Sequence, residues 1–444
     1  MKNSIRENVN KSGFGDKCAT LGSIFLISSI FIDYFFGMIF GQDGNFQPDS
    51  VFRQILKGPI LLFFLGALFS LKFKDGVKII SILLVLLIAF SLRVAYGQTP
   101  LNGYDLKFML RGPFLALAAF SIVASLPLTK DRLFHFFKLN SKIWFIFITS
   151  VIIFHKLFGF GLLTYEGFSG YKSYFPSQNE LTLIYSLSWY CWFLTGSWFW
   201  KTVTTIISLF VLLLIGTKSG FLFVFCGIVI YLSAKLYQKN KILSLVFVCG
   251  IAGCAILLIN NIDLLVDIFL SYSHGGEKLK YLIRRLGVFS ALWSHRDQLV
   301  LATIDLLAKS NPLIWINGMG FHKLWQELGT VRGTAGHFVE VDLIDALGGG
   351  GLLAVTAFLG PIVFYATRSF YEYTKIEDEN FLALFGLLMI YIVAASTSGH
   401  CAYYATPSVV LGSILGAGHL TLYGRLGASK HFDRQNNELN LGIQ

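Results

Sequence analysis

The chain is predicted to be an all-α polytopic membrane protein with about a dozen spans and one long loop on the outer face of the membrane. Three observations predict this class. Of its 444 residues, 55% are hydrophobic and only 14% are charged, too few charges to cover a water-facing surface. Apolar runs of roughly 20 residues, the length of a membrane span, recur along the chain. Short basic stretches separate them, and a single long interruption falls at about 261–346.

In order, the spans are expected at 19–40, 54–71, 78–96, 108–128, 143–159, 181–200, 202–216, 219–234 and 242–260, then at 347–367, 381–397 and 403–424. This divides the chain into 1–260 (nine spans), 261–346 (the outer loop) and 347–444 (three spans and a tail). The start is polar and basic, and the first apolar run is long enough to span, so no cleavable signal is expected.

Orientation follows from Lys and Arg. Cytoplasmic termini place Lys2, Arg6, Lys11 and Lys17 inside, and later clusters such as Lys72–Lys74–Lys78 and Lys235–Lys239–Lys241 as well. This accounts for the net charge of +11 without nucleic acid, because the basic residues sit between spans and form no continuous face. The six cysteines form no Cys-x-x-Cys pair, and most lie in apolar runs, which speaks against a disulfide framework or a zinc site.

The basic residues on the outer side are the informative ones. Arg53, Lys57, Arg93, Lys107, Arg111, Lys156, Lys172 and Lys218 fall near outer helix ends. They read either as snorkelling side chains or as a basic vestibule for an anionic substrate.

The loop has its own pattern. Leu279, Leu282, Leu286, Phe289 and Trp293 recur at helical spacing, as in an interfacial amphipathic helix or an ordinary packed one. Ser294 and Asp297 have capping-box spacing, so a helix is expected from there to about Lys309, stopping at Asn311-Pro312. Asn317-Gly318-Met319-Gly320 reads as a turn. A continuous helix from His337 to Arg368 would be roughly 48 Å long. That exceeds the hydrocarbon core of about 30 Å, so 337–345 is expected above the membrane or packed inside the protein. On a helix, His337, Glu340 and Ile344 would share one face, and Asp342 and Asp345 another. The glycine run Gly348–Gly351 would admit a helix or a lipid chain closely.

Four stretches together resemble the superfamily of O-antigen polymerases (Wzy-type) and O-antigen ligases. They are Phe175-Pro176-Ser177-Gln178-Asn179-Glu180, Gly216-Thr217-Lys218-Ser219-Gly220, Ser294-His295-Arg296 with Gly318-Met319-Gly320, and Gly336-His337 with Glu340, Asp342, Asp345, Gly348 and Gly351. They cover roughly residues 170–360. Two departures stand out: Lys218 occupies a position that is usually arginine, and Phe338 follows His337 where ligases often carry Asn. The Glu340-x-Asp342 pattern looks more like that of a polymerase.

The resemblance implies a GT-C-like fold in a bacterial inner membrane. It implies a glycosyltransferase that moves a glycan from a polyprenyl diphosphate to another lipid-linked repeat unit, inverting, without metal or cofactor. Membrane lipids and a chain-length regulator are the implied partners. The alternatives are a ligase, with a lipid A-core sugar as acceptor, and a lipid-linked sugar transporter or flippase. Against the transporter, no repeated half with matching interrupted helices is visible.

Such a transfer needs a cation for the departing diphosphate and a base for the attacking hydroxyl. Arg296 is the first candidate for diphosphate binding through paired donors, with Lys218, Arg111 and Arg53 in support. Its ordinary role would be an ion pair with Asp297 or Asp305. His337 and Glu340 are the candidate bases, with a structural histidine and a helix-start charge as their ordinary readings. Asp342 and Asp345 are expected to hold the loop by hydrogen bonds, and Asp33 and Glu166 are weaker acid candidates. No spacing of His with acids suits a metal ligand set.

Overall fold

A computed structural model describes residues 2–40, 103–126, 128, 130–165, 168–175, 177–260, 290, 293, 296–334, 336–399, 404 and 406–423. The described chain is mostly helical. The helices are α1 (Lys2–Phe40), α2 (Gly103–Ala124), α3 (Lys130–Phe158), α4 (Gln178–Thr195), α5 (Trp198–Ile215), α6 (Lys218–Lys239), α7 (Lys241–Asn260), α8 (Arg296–Ala308), α9 (Pro312–Asn317), α10 (Phe321–Arg332), α11 (Asp342–Ile376) and α12 (Glu379–Thr397). The last, α13, covers 406–423.

Among the described residues, six stretches are long and apolar enough to cross a membrane: Ala19–Ile39, Arg132–Phe158, Trp198–Ile215, Lys218–Lys239, Asp342–Ile376 and Glu379–Thr397. Their outward faces carry large apolar side chains. On α5, Ile206, Phe210 and Leu213 are exposed while Ser208, Val211, Leu212 and Ile215 are buried. Hydroxyls inward and hydrocarbon outward is a stable arrangement only where the solvent is itself hydrocarbon. The chain is a membrane-embedded helical protein. Expected spans 54–71 and 78–96, and the amphipathic segment through Phe289, lie outside the described residues.

The structure corrects two boundaries. The span expected at 181–200 ends at Thr195, because Gly196 and Ser197 interrupt the helix and pass Trp198–Trp200 to α5. Gly196 has extended backbone and Ser197 is the N-cap of α5. The expected span 143–159 is the second half of a longer helix that already starts at Lys130. The all-α expectation also fails locally. Between α3 and α4 the chain forms an antiparallel hairpin, β1 (Leu162–Tyr165) with β2 (Phe168–Ser173), pairing Leu163 with Tyr171. Gly159 and Gly161, both at positive φ, turn the chain out of α3 into this hairpin.

Helix α4 is the hub of the bundle and packs against α3, α5, α6 and α12. Buried on nearly all sides, it carries apolar side chains around its circumference rather than along one stripe, with Glu180, Thr182, Ser186 and Ser188 buried among them. Trp189, Tyr185 and Tyr190 are fully buried there. A second, smaller core sits beside the bundle. Leu299 and Leu307 of α8, Ile314 of α9, Leu324 and Leu328 of α10, and Val339 and Val341 form it. These short helices make a cap over the start of α11, as the helix expected from Ser294 and the stop at Asn311-Pro312 foreshadow.

The glycine run explains how cap and bundle meet. At Gly351 the backbone leaves the helical region (φ 69°, ψ −170°) and α11 kinks. The carbonyls just before the break, Gly348 and Gly349, accept the N–H groups of Met319 and Gly320 at 2.8 and 3.0 Å. A side chain at Gly349 would meet the Phe321 ring, and one at Gly318 would meet the Gly349 carbonyl. What approaches closely is thus the backbone of the 317–320 turn together with Phe321 and Leu324 of α10, so a helix does pack on the glycine run as expected.

Candidate active site

The cap places Arg296 at the first position of α8, where it reaches the last turn of α12. Its Nη1 donates to the Thr397 carbonyl at 2.7 Å, and its Nη2 donates to Glu340 Oε2 at 2.9 Å. The last carbonyls of a helix have no intrahelical partner and carry the negative end of its dipole, so they suit a guanidinium. Three other groups use the same ledge. Trp293 Nε1 donates to Thr397 O at 3.4 Å. Asn179 Nδ2 donates to Ser398 O at 3.1 Å. Gly399, at φ 62°, presses against the Glu340 backbone.

The ordinary pairings considered for Arg296 are not those observed. Asp305 pairs with Lys309 at 2.5 Å, and Asp297 accepts a hydrogen bond from the Ser290 hydroxyl.

Glu340 lies outside any helix. Residues 336–341 are irregular and α11 begins at Asp342, so the helical face expected to join His337, Glu340 and Ile344 does not form. Glu340 instead has left-handed backbone, φ 60°, a region that costs a non-glycine residue about 1–2 kcal/mol. Asp345 holds it there. Its buried carboxylate accepts from Val339 N at 3.0 Å and from Glu340 N at 3.1 Å. This is the loop-holding role expected for Asp345.

His337 is three residues away but engaged elsewhere. Its Nε2 contacts Arg332 Nη1, its Nδ1 contacts the Phe338 carbonyl, and its N–H donates to Trp325 O at 2.9 Å. An arginine can only donate, so Nε2 accepts and Nδ1 faces the Phe338 carbonyl as donor. Gly336 lets the chain pass against the Trp325 ring, where a Cβ would fall 2.1 Å from a ring atom.

Of the other expected cations, Lys218, Lys156 and Lys172 are described. Lys218 is exposed at the first position of α6, after Gly216 (φ 79°) ends α5. Beside it the buried Thr217 hydroxyl bonds Thr182 at 2.8 Å. Lys156 bonds the Tyr171 hydroxyl at 2.9 Å and lies over that ring, a snorkelling arrangement. Burial pushes the Lys172 ammonium below its usual value. Arg111 falls within α2, but its side chain lies outside what the structure describes, as do Arg53, Lys57, Arg93 and Glu166 entirely.

The structure also brings together two acids that were not paired in the sequence reading. Asp33 of α1 and Glu180 of α4, both buried, line one small cavity with Ser177, Phe175 and Thr406. The Thr406 hydroxyl donates to the Asp33 carboxylate. Glu180 follows Asn179, whose side chain bonds the Ser398 carbonyl on the ledge that carries Arg296. The available signal was Glu180 itself, an acid in a segment that opens an apolar run. Among the described residues, no three His, Cys, Asp or Glu side chains converge as a metal site would need.

The arrangement can offer a fixed guanidinium and a partly exposed carboxylate at one end of an apolar bundle. It can bind an anion and take a proton from a hydroxyl held beside it. No family model matches the chain, and no curated protein sequence matches it.

Proposed function

We propose that the chain is a glycan polymerase that transfers a polyprenyl-diphosphate-linked oligosaccharide to the terminal sugar of another lipid-linked repeat unit. The Arg296 bridge between Glu340 and the Thr397 carbonyl carries this reading. A guanidinium placed by a helix end, with a carboxylate beside it, supplies the two groups an inverting displacement needs. Arg296 holds the leaving diphosphate, and Glu340 receives the acceptor's hydroxyl proton. In this proposal Lys218, Arg111 and Arg53 line the approach, and the twelve-span, GT-C-like plan has both termini on the cytoplasmic side.

Deleting the chain's gene and resolving surface polysaccharide on a gel tests the proposal. A polymerase leaves single repeats attached, and restoring the wild-type gene, but not Arg296→Ala at equal protein level, returns the long chains. Complete absence of attached glycan would instead mark a ligase.

A transporter of lipid-linked sugar is the second reading, and the buried Asp33 and Glu180 favour it, because carboxylates inside a membrane bundle commonly mark transport or proton pathways. Purified protein that moves lipid-linked sugar across liposomes without lengthening it would replace the polymerase proposal.

A further inference from the structure

We infer that the Arg296–Glu340 pair is a latch, opened when a diphosphate takes the place of Glu340 on the guanidinium. The inference rests on the proposed function only for the identity of the anion. Three observations carry it. The first is the division of labour at Arg296. Nη1 is committed to a backbone carbonyl that cannot leave, whereas Nη2 is committed to a side chain that can. The buried Nε has no acceptor among the described residues, so the guanidinium has donor capacity that its present partners leave unused.

The second is exposure. The Glu340 side chain is 35% accessible and that of Arg296 is 14%, so Glu340 is the more solvent-facing member of the pair. An anion coming from solvent meets the carboxylate first and must displace it. A partly exposed ion pair is weakly held, and a diphosphate brings more charge and several oxygens to the same fork.

The third is anchoring. The Glu340 backbone is fixed by Asp345 and by Gly399, so displacement swings the side chain without moving the loop. The released carboxylate stays within a side-chain length of the bound anion. Released from Nη2 and set beside a second anion, it becomes a stronger proton acceptor once the anion is seated. The acceptor's hydroxyl then meets the stronger base when a donor is present, which limits loss of the glycan to water.

Metal-free inorganic pyrophosphate and the purified full chain test this. Glu340→Gln removes the competitor and keeps the shape. It should bind pyrophosphate roughly two- to fivefold more tightly than wild type by calorimetry, the fold-change matching a partly exposed ion pair. Carbodiimide labelling read by mass spectrometry should show pyrophosphate raising modification of Glu340 severalfold. Glu379, paired with Lys235 at 3.4 Å, should be unaffected. Unchanged or weaker binding by Glu340→Gln, unchanged labelling, or no pyrophosphate binding at all would overturn the latch. If the latch opens yet no glycan is transferred, only the polymerase reading fails. If transfer proceeds while Glu340 labelling stays constant, only the latch fails.

Discussion

Arg296 and Glu340, 44 residues apart in sequence, meet with Nη2 and Oε2 at 2.9 Å where the start of α8 faces the irregular segment before α11. The end of α12 joins them, and its Thr397 carbonyl takes the second donor of the same guanidinium. The proposed chemistry depends on this three-way junction.

Glu340→Gly separates strain from function. Glycine adopts φ near 60° freely, so the substitution removes about 1–2 kcal/mol of backbone strain while losing an ion pair worth about 0–1 kcal/mol. The expected result is an unchanged or raised thermal midpoint with transfer abolished. A clear drop in midpoint would show that the left-handed backbone is not a stored cost.

Gly399→Ala should damage the junction. A Cβ there would fall 2.2 Å from the Glu340 carbonyl oxygen, on a residue already at φ 62°. We expect destabilisation of more than about 2 kcal/mol in thermal or denaturant unfolding, because neither backbone can yield cheaply. Wild-type stability would mean the two segments are not in contact.

Asp345→Ala leaves two N–H groups, the buried one of Val339 and the part-buried one of Glu340, without their acceptor. The cost is about 1–3 kcal/mol per orphaned group. Asp345→Asn keeps one carbonyl acceptor and should retain part of that stability. Hydrogen exchange at Val339 and Glu340 reports it directly. Protection should fall in Asp345→Ala and be partly kept in Asp345→Asn, and equal exchange in both variants and wild type would refute the clamp.

Of the two candidate bases, His337 is the one tied up, through Arg332 and the Phe338 carbonyl. His337→Ala should therefore cost transfer less than about tenfold, while Glu340→Gln costs about a hundredfold or more, in the range of losing a general base. The reverse ranking, measured on matched amounts of folded protein, would move the base assignment to His337.

The parts of the fold that follow from period and punctuation were legible in the sequence. The α8 helix, its stop before Pro312 and the turn at 317–320 are local, each set by a cap, a proline or a pair of glycines. Long apolar runs likewise announced α5, α6 and α12. The break at Gly196-Ser197 was hidden because apolar residues continue on both sides of it, and hydropathy does not sense a two-residue turn.

The site was half legible. Residue type and loop position pointed to Arg296, Glu340 and His337. A helical reading of 337–345 then joined Glu340 to the wrong neighbour. Local pattern does not reveal that Asp345 reaches back to trap Glu340 in a left-handed conformation, nor that Thr397 and Gly399 arrive from another helix. These are long-range backbone contacts, and only folding creates them. The same holds for Asp33 and Glu180, which meet across two helices.

Reconstituted transfer is the most direct test of the central claim. The full chain in liposomes would receive a lipid-linked repeat as donor and acceptor, and elongation would be followed by mass spectrometry. Wild type should lengthen the glycan, and Arg296→Ala should slow this by about a hundred- to a thousandfold, the scale of losing a donor that stabilises transition-state charge. Elongation by folded Arg296→Ala at the wild-type rate would contradict it.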